Sequence, residues 1–381
     1  MAEKFSKFRD PGTGIQVFLT PVAASTSSSS SWSGSFSIAS VIFTPVFILL
    51  GLIRAIVGGL FWGMYLISGN SALLRVVLGA LGFISLAVER VSPGTSGRSA
   101  GGRNKQDFNK NAQEAKKGDL VMANHSSYFD LLILAYLYPG LKFVLPVIGD
   151  GVKEEMGKYE STSGVGAGAS ARRTPKKNAM SANTRIVTPS SASATSSSSS
   201  TEIPILGYVI LPLSSALRFI GALPPSQSQL STLTIHQDLN STLKSSSSPL
   251  AFFPEVVTSN NRALLTVPTL PSSPPEALKA THIVTLKYAP PTTTSTTSVY
   301  SVPSAANSIT RHLANVVFLS NPLRSVAIRQ ATMAKMQEQT QNWPEDVVGF
   351  MSSMARLKRT SIAWWTKREF LIMVQGRNRR V

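Results

Sequence analysis

The sequence predicts an α/β fold that carries an N-terminal hydrophobic helical hairpin and C-terminal helices. Two short apolar runs, LVMA at 120–123 and LAFF at 250–253, are typical of buried strands, and an apolar helical pattern follows the first. Strands that alternate with helices favour an α/β domain. We divide the chain into four parts: a polar N-terminal segment 1–37, the hairpin 38–90, an α/β domain 91–291, and a linker with a basic helical region 292–381.

The composition limits the class of function. The chain has 381 residues, no cysteine, 37 Lys and Arg against 19 Asp and Glu, and a net charge of +18. Without cysteine there is no disulfide scaffold, thiolate metal site or thiol nucleophile. Only 15% of the residues are charged, and they flank apolar sequence. This pattern favours an anionic membrane surface as the partner and not a nucleic acid. A soluble nucleic-acid-binding protein is an alternative hypothesis that net charge alone supports.

The stretch from Ile38 to Val88 is mostly apolar, and its only charged residues are Arg54 and Arg75. A helix needs about 20 apolar residues to cross a bilayer, and SGNS at 68–71 predicts a turn. We expect a helical hairpin that spans the membrane twice or dips into one leaflet. Basic residues on both flanks place both ends in the cytosol. The alternative is a pair of core helices in a soluble protein.

Two further segments have biased composition. The Ser-rich insertion 160–201 lacks hydrophobic periodicity, and we expect it to be disordered. In the last 26 residues, eight Lys and Arg alternate with aromatic side chains such as Trp364 and Trp365. Such a helix is typical of an interfacial membrane contact. A solvated basic face on a packed helix is an equally good interpretation.

The first group of candidate catalytic residues lies in NHSSYFD, directly after the strand 120–123. His125 is at the strand end, where α/β enzymes place reactive groups, and Asp130 begins the following helix. An aspartate there can hold one imidazole nitrogen and leave the other as a general base. The competing interpretation is helix capping by Ser127 and Asp130.

The second group lies in FFPEVVTSNNR, after the strand 250–253. Glu255 ends the strand and faces a loop of hydroxyl and amide side chains with Arg262, which suits a phosphate-bearing or polyol substrate. The alternative is an ordinary turn with a solvated glutamate. Four scattered histidines and no cysteine predict no metal site.

Together, NHSSYFD, FFPE and TSN resemble the glycerolipid acyltransferases, which transfer acyl groups from acyl-CoA to lysophospholipids. The likeness extends to ALRFIGALPPS at 216–226 and MARLKRTSIAWWTKREFL at 354–371, and is greatest with the fungal lysophosphatidic acid:oleoyl-CoA acyltransferases. It implies a mixed central sheet with flanking helices. It also implies residence in the endoplasmic reticulum membrane or on lipid droplets, with the active site facing the cytosol.

The resemblance implies a mechanism of the 1-acylglycerol-3-phosphate O-acyltransferase type. His125, oriented by Asp130, deprotonates the free hydroxyl of lysophosphatidic acid, which attacks the thioester of acyl-CoA and gives phosphatidic acid. No covalent intermediate and no cofactor beyond this co-substrate are needed. The residues that the likeness assigns to substrate binding are Glu255, Thr258, Ser259, Asn260, Arg262 and Arg218.

The chain departs from the family pattern after Glu255. The family has Gly-Thr there, whereas this chain has Val256 and Val257. Glycine permits a close backbone approach that a β-branched residue does not. The alternative function is therefore a catalytically impaired relative that binds lipid or shapes membranes.

Overall fold

The computed structural model describes residues 3–23, 38–91, 115–151, 202–292, 295–303, 308–321, 323–334 and 342–378. These residues form an α/β fold around a seven-stranded mixed sheet, which confirms the predicted fold class. The Ser-rich insertion 160–201 lies outside the described residues.

The main sheet has the strand order β1-β8-β7-β2-β5-β3-β4, and β6 and β9 form a separate parallel pair. The strands are β1 Val88–Arg90, β2 Leu120–Ala123, β3 Lys142–Ile148, β4 Ile205–Leu211, β5 Leu250–Phe252, β6 Ala263–Leu264, β7 Ala280–Tyr288, β8 Val326–Ala334 and β9 Lys358–Arg359. The runs LVMA and LAFF are thus strands, as predicted, although the second ends at Phe252.

Eight α-helices surround the sheet in the described part of the chain. They are α1 Ile38–Ser68, α2 Ser71–Ala80, α3 Tyr128–Leu137, α4 Leu213–Ala216, α5 Leu239–Ser245, α6 Ile309–Phe318, α7 Trp343–Ala355 and α8 Thr366–Asn378. Short 3-10 helices occupy Glu3–Phe8, Leu217–Phe219 and Gln227–Leu230.

The centre of the sheet is parallel. Strand β2 lies between β7 and β5 and runs parallel to both. All four of its residues are buried, as expected for an apolar strand covered on both faces. Because the three strands share a direction, their carboxyl ends meet at one edge of the sheet. The chain segments that follow β2, β5 and β7 therefore lie side by side.

Helix α1 presents a long apolar face to the outside. Its segment Ile48–Ser68 is long and apolar enough to cross a membrane, and it is the one such helix found among the described residues. The exposed side chains include Leu49, Leu52, Ile56 and Leu60. An apolar face of this extent marks a contact with a membrane or another protein.

The second limb of the predicted hairpin is shorter than expected. Helix α2 stops at Ala80, because Gly82 takes a φ of 103° and the amides of Gly82 and Phe83 bond to the carbonyls of Gly79 and Leu78. This is the Schellman arrangement that ends helices. The rest of the apolar block enters the core and strand β1. A ten-residue helix does not span a bilayer, so the double-spanning form of the prediction is wrong for this limb.

The two ends of the chain pack on each other. Phe8 and Phe18 from the N-terminal segment contact Phe370 of α8 at ring distances of 5.1 and 5.6 Å. Trp364 and Phe370 are each 1% exposed. The aromatic residues among the C-terminal charges are therefore core residues for the most part, and the segment 1–37, predicted to be polar only, contributes to that core.

Gly51 lets α1 approach α6 closely. A Cβ at this position would lie 2.5 Å from Cδ1 and 2.9 Å from Cα of Phe318, closer than real contacts allow. At Gly63 of the same helix a Cβ would meet nothing within 4 Å.

We expect Gly51→Ala to lower the free energy of unfolding by about 1–3 kcal/mol, because the two helices must separate. Gly63→Ala is the matched control, and we expect it to be neutral or slightly stabilising, since alanine favours helix. Thermal unfolding of both variants in detergent checks this. Equal stability of the two variants would contradict the close packing of α1 on α6.

Candidate functional site

The turn between β2 and α3 carries the predicted catalytic pair. His125 Nδ1 lies 3.4 Å from Asp130 Oδ2. The same carboxylate oxygen accepts the backbone amides of Ser126 at 2.6 Å and Ser127 at 2.8 Å. The contact to the ring is long because this oxygen is held by two closer donors. Both predicted roles of Asp130 are present, since it caps α3 together with Ser127 and also faces the imidazole.

The other oxygen of Asp130 accepts the hydroxyl of Tyr288 at 2.5 Å. Tyr288 ends β7, the strand parallel to β2. The carboxylate is fully buried, and donors from the β2–α3 turn and from β7 satisfy both of its oxygens. Burial and the adjacent carboxylate both raise the pKa of Tyr288, so its hydroxyl keeps the proton that it donates.

His125 is 5% exposed, and its ring stacks on Phe253 with centroids 4.1 Å apart. Burial lowers its pKa, although Asp130 acts in the opposite direction. The imidazole is therefore neutral at neutral pH. A neutral imidazole oriented through Nδ1 leaves Nε2 free to accept a proton.

Glu255 meets His125 through the backbone. Its Oε2 accepts the amide of His125 at 3.1 Å, and its Oε1 accepts the amide of Leu265 at 3.0 Å. The side chain is 1% exposed, and burial raises its pKa to about 8. The interpretation as a solvated turn residue is wrong. Glu255 holds the loop after β5 against the loop after β2, and its role as a direct substrate ligand stays a prediction.

The three residues of TSN also have partners within the protein. Thr258 donates its hydroxyl to the carbonyl of Ser301 at 3.0 Å, and Ser259 donates its amide to the carbonyl of His125 at 2.8 Å. Asn260 donates its side-chain amide to the carbonyl of Gln16. All three predicted binding residues are buried. In this conformation they fix the loop against its neighbours.

Asn261 has a φ of 61°, in the left-handed region that asparagine tolerates better than most residues. Its side-chain nitrogen donates to Ser126 Oγ at 3.0 Å and to the carbonyl of Leu286 at 2.8 Å. This side chain therefore links the β5 loop to both the β2 loop and β7.

Val256 has a φ of 64°, a conformation that costs a β-branched residue strain. The amide of Val257 bonds to the carbonyl of Glu255 at 2.7 Å, across Val256. This is a γ-turn with a positive central φ, the rarer and strained form. The backbone thus adopts a shape suited to glycine although the residue is valine.

A small cavity of about 30 Å³ adjoins His125. Val256 and Phe253 line it, together with residues 216, 219, 220, 222 and 224 of the segment ALRFIGALPPS. Ligand sites usually measure about 300–1,000 Å³, so a lipid substrate requires this wall to move. The predicted ligand Arg218 is exposed on the 3-10 helix of that segment and does not line the cavity, and Arg262 is also exposed.

Sequence reasoning missed two residues of the site. Tyr288 had a usable signal, because it ends a strand of the sheet whose other strand ends carry His125 and Glu255. Lys367 of α8 had none. It is fully buried and donates to the carbonyl and hydroxyl of Thr258 at 2.9 and 2.8 Å. Burial holds the pKa of Lys367 well below its usual range.

Comparison of the chain with protein-family models, curated proteins and solved structures finds no match. No cluster of three metal-ligating side chains occurs within the described ranges.

Two adjacent valines allow a test of the strained turn. Val257 is 1% exposed and has no positive φ. We expect Val256→Gly to leave the free energy of unfolding unchanged or raised, because relief of strain offsets the entropy of glycine. Val257→Gly should lower it by about 2–4 kcal/mol through lost burial and added chain entropy. Denaturant unfolding of both variants measures the difference; equal losses would show that Val256 is not strained.

Proposed function

We propose that the protein transfers an acyl group from acyl-CoA to the free hydroxyl of a lysophospholipid, with lysophosphatidic acid as acceptor and phosphatidic acid as product. The observation that carries the proposal is the buried His125–Asp130 pair at the carboxyl edge of β2, beside the loop that follows β5. The neutral imidazole lies where two loops converge, which supports a role for it as general base.

In this proposal His125 Nε2 takes the proton of the acceptor hydroxyl as its oxygen attacks the thioester carbonyl. The tetrahedral intermediate then expels the CoA thiolate, which receives the proton from His125. Asp130 holds the ring through Nδ1 and stabilises the transient imidazolium. All bonds are exchanged between the two substrates, so no residue is acylated.

The exposed apolar face of α1 supports attachment to a membrane, the source of the lysophospholipid acceptor. A membrane-bound chain with His125 on the cytosolic side of the endoplasmic reticulum or a lipid droplet would meet acyl-CoA from the cytosol and lysophospholipid from the bilayer. Arg218 and Arg262 are exposed and are available as contacts for the phosphate or for CoA once the wall of the cavity moves.

The test is transfer of radiolabelled oleate from oleoyl-CoA to lysophosphatidic acid by the purified full-length protein. We expect His125→Ala to lower the rate by about 10²-fold or more, as for the loss of a general base. His282→Ala is the matched control, because His282 of β7 also pairs with an aspartate, Asp119, which directly precedes β2. Equal rates for the natural chain and folded His125→Ala would overturn the proposed mechanism.

The pH dependence gives a second test. A general base must be neutral, and burial lowers the pKa of His125. The rate should therefore stay level as the pH falls through 6.5, the ordinary value for histidine, and decline only below it. A profile of kcat/KM against pH measures this limb. Glu255 also titrates in this range, since its pKa is about 8. A decline centred above 6.5 that remains in Glu255→Gln would therefore show that His125 is not the buried base described above.

The size of the cavity favours a second candidate function, a lipid-binding relative with impaired catalysis. Val256 lines the cavity next to His125 and narrows it in a way that glycine would not. If the natural chain transfers no acyl group while Val256→Gly does, the second candidate is correct. If the natural chain transfers acyl groups and Val256→Gly changes the rate little, the first candidate function, acyl transfer, is supported.

A further inference from the structure

A second and much larger cavity of about 490 Å³ lies between α1, α2, α3 and α6. Its walls are apolar along nearly their whole length, with Trp62 of α1, Leu132 of α3 and Leu313 of α6 among them. It shares no lining residue with the cavity beside His125. Its volume is that of a site for a small organic ligand or a single lipid chain.

One wall of this apolar cavity carries a charge. Arg54, on the inward face of α1, is 8% exposed. Its Nε donates to the carbonyl of Ala80 at 2.6 Å and its Nη1 to the carbonyl of Val317 at 2.9 Å. Its Nη2 is buried and has no hydrogen-bond partner among the described residues. A buried guanidinium with a free donor is costly unless an acceptor is bound there.

Within the described ranges, no carboxylate offsets this charge. None of the described residues that line the cavity is acidic, and Arg54 forms no ion pair with a described residue. A second buried cation, Arg324, lies near it and bonds only to hydroxyl and carbonyl groups of Thr296, Ser298 and Ser320. Burial and then the charge of Arg54 lower the pKa of Arg324 to about 10, against the effect of Tyr128.

We propose that this cavity binds a free fatty acid, with its chain against the apolar walls and its carboxylate paired with the guanidinium of Arg54, whose Nη2 has no partner among the described residues. A carboxylate fits this site better than a phosphate, because Arg54 is the one charged side chain among the described lining residues and two of its three nitrogens already bond to backbone carbonyls. The proposal does not depend on acyl transfer, since it involves neither His125 nor the loop after β5.

The test measures equilibrium binding of radiolabelled oleate to the full-length protein in phosphatidylcholine nanodiscs, with empty nanodiscs subtracted. Oleyl alcohol, which has the same chain and no charge, is the paired ligand. We expect Arg54→Gln to weaken oleate binding at least tenfold and to leave oleyl alcohol binding unchanged. Arg75→Gln is the control, because Arg75 donates to the carbonyls of Phe83 and Ile84 and does not line the cavity.

A second pair of variants keeps the test valid should Arg54→Gln fail to fold. Gly59 lines the cavity and Gly63 does not, and a Cβ at either position meets nothing within 4 Å. Gly59→Leu should therefore weaken the binding of both oleate and oleyl alcohol, and Gly63→Leu should weaken the binding of neither.

Three results would overturn the proposal. The first is equal affinity of the natural chain for oleate and oleyl alcohol. The second is oleate binding that neither Arg54→Gln nor Gly59→Leu alters. The third is displacement of oleate by a smaller concentration of lysophosphatidic acid than of unlabelled oleate, which would identify a phosphate site instead.

Discussion

The carboxylate of Asp130 is the constraint on which the arrangement around His125 depends. It is buried and accepts bonds from two backbone amides, one phenol and one imidazole. These donors belong to the β2–α3 turn and to the end of β7. A buried carboxylate is stable only when its oxygens are saturated in this way. One side chain thereby fixes the start of α3, the path of the turn and the orientation of the histidine ring.

The loop after β5 is held by groups that are distant in sequence. Glu255 bonds to the amide of His125, Thr258 accepts a hydrogen bond from Nζ of Lys367 in the C-terminal helix, and Asn260 bonds to the carbonyl of Gln16 near the N-terminus. Each partner is a backbone group or a buried side chain, so displacement of any one leaves a polar group unsatisfied. The terminal segments therefore belong to the same cooperative unit as the histidine loop.

Much of this was predictable from local sequence. Apolar runs located β2 and β5, and the rule that reactive groups follow parallel strands located His125, Asp130 and Glu255. What local pattern does not contain is the direction of a side chain in a loop, so the bonds from the amides of His125 and Leu265 to Glu255 were not predicted. The burial of Lys367 and Trp364 depends on packing between the two chain ends, and the early end of α2 depends on the conformation of Gly82.

Val256 shows that a left-handed turn can form without glycine, the residue that favours it. The hydrogen bonds on either side of Val256 hold the turn, and the side chain tolerates it. A sequence pattern that requires glycine at this position therefore detects the residue type and not the left-handed backbone conformation itself. Valine and glycine codons differ by a single nucleotide, so mutation can widen or narrow the space beside His125 without rebuilding the loop. The backbone conformation that would allow either residue at position 256 is thus a property of the structure that the sequence alone does not reveal.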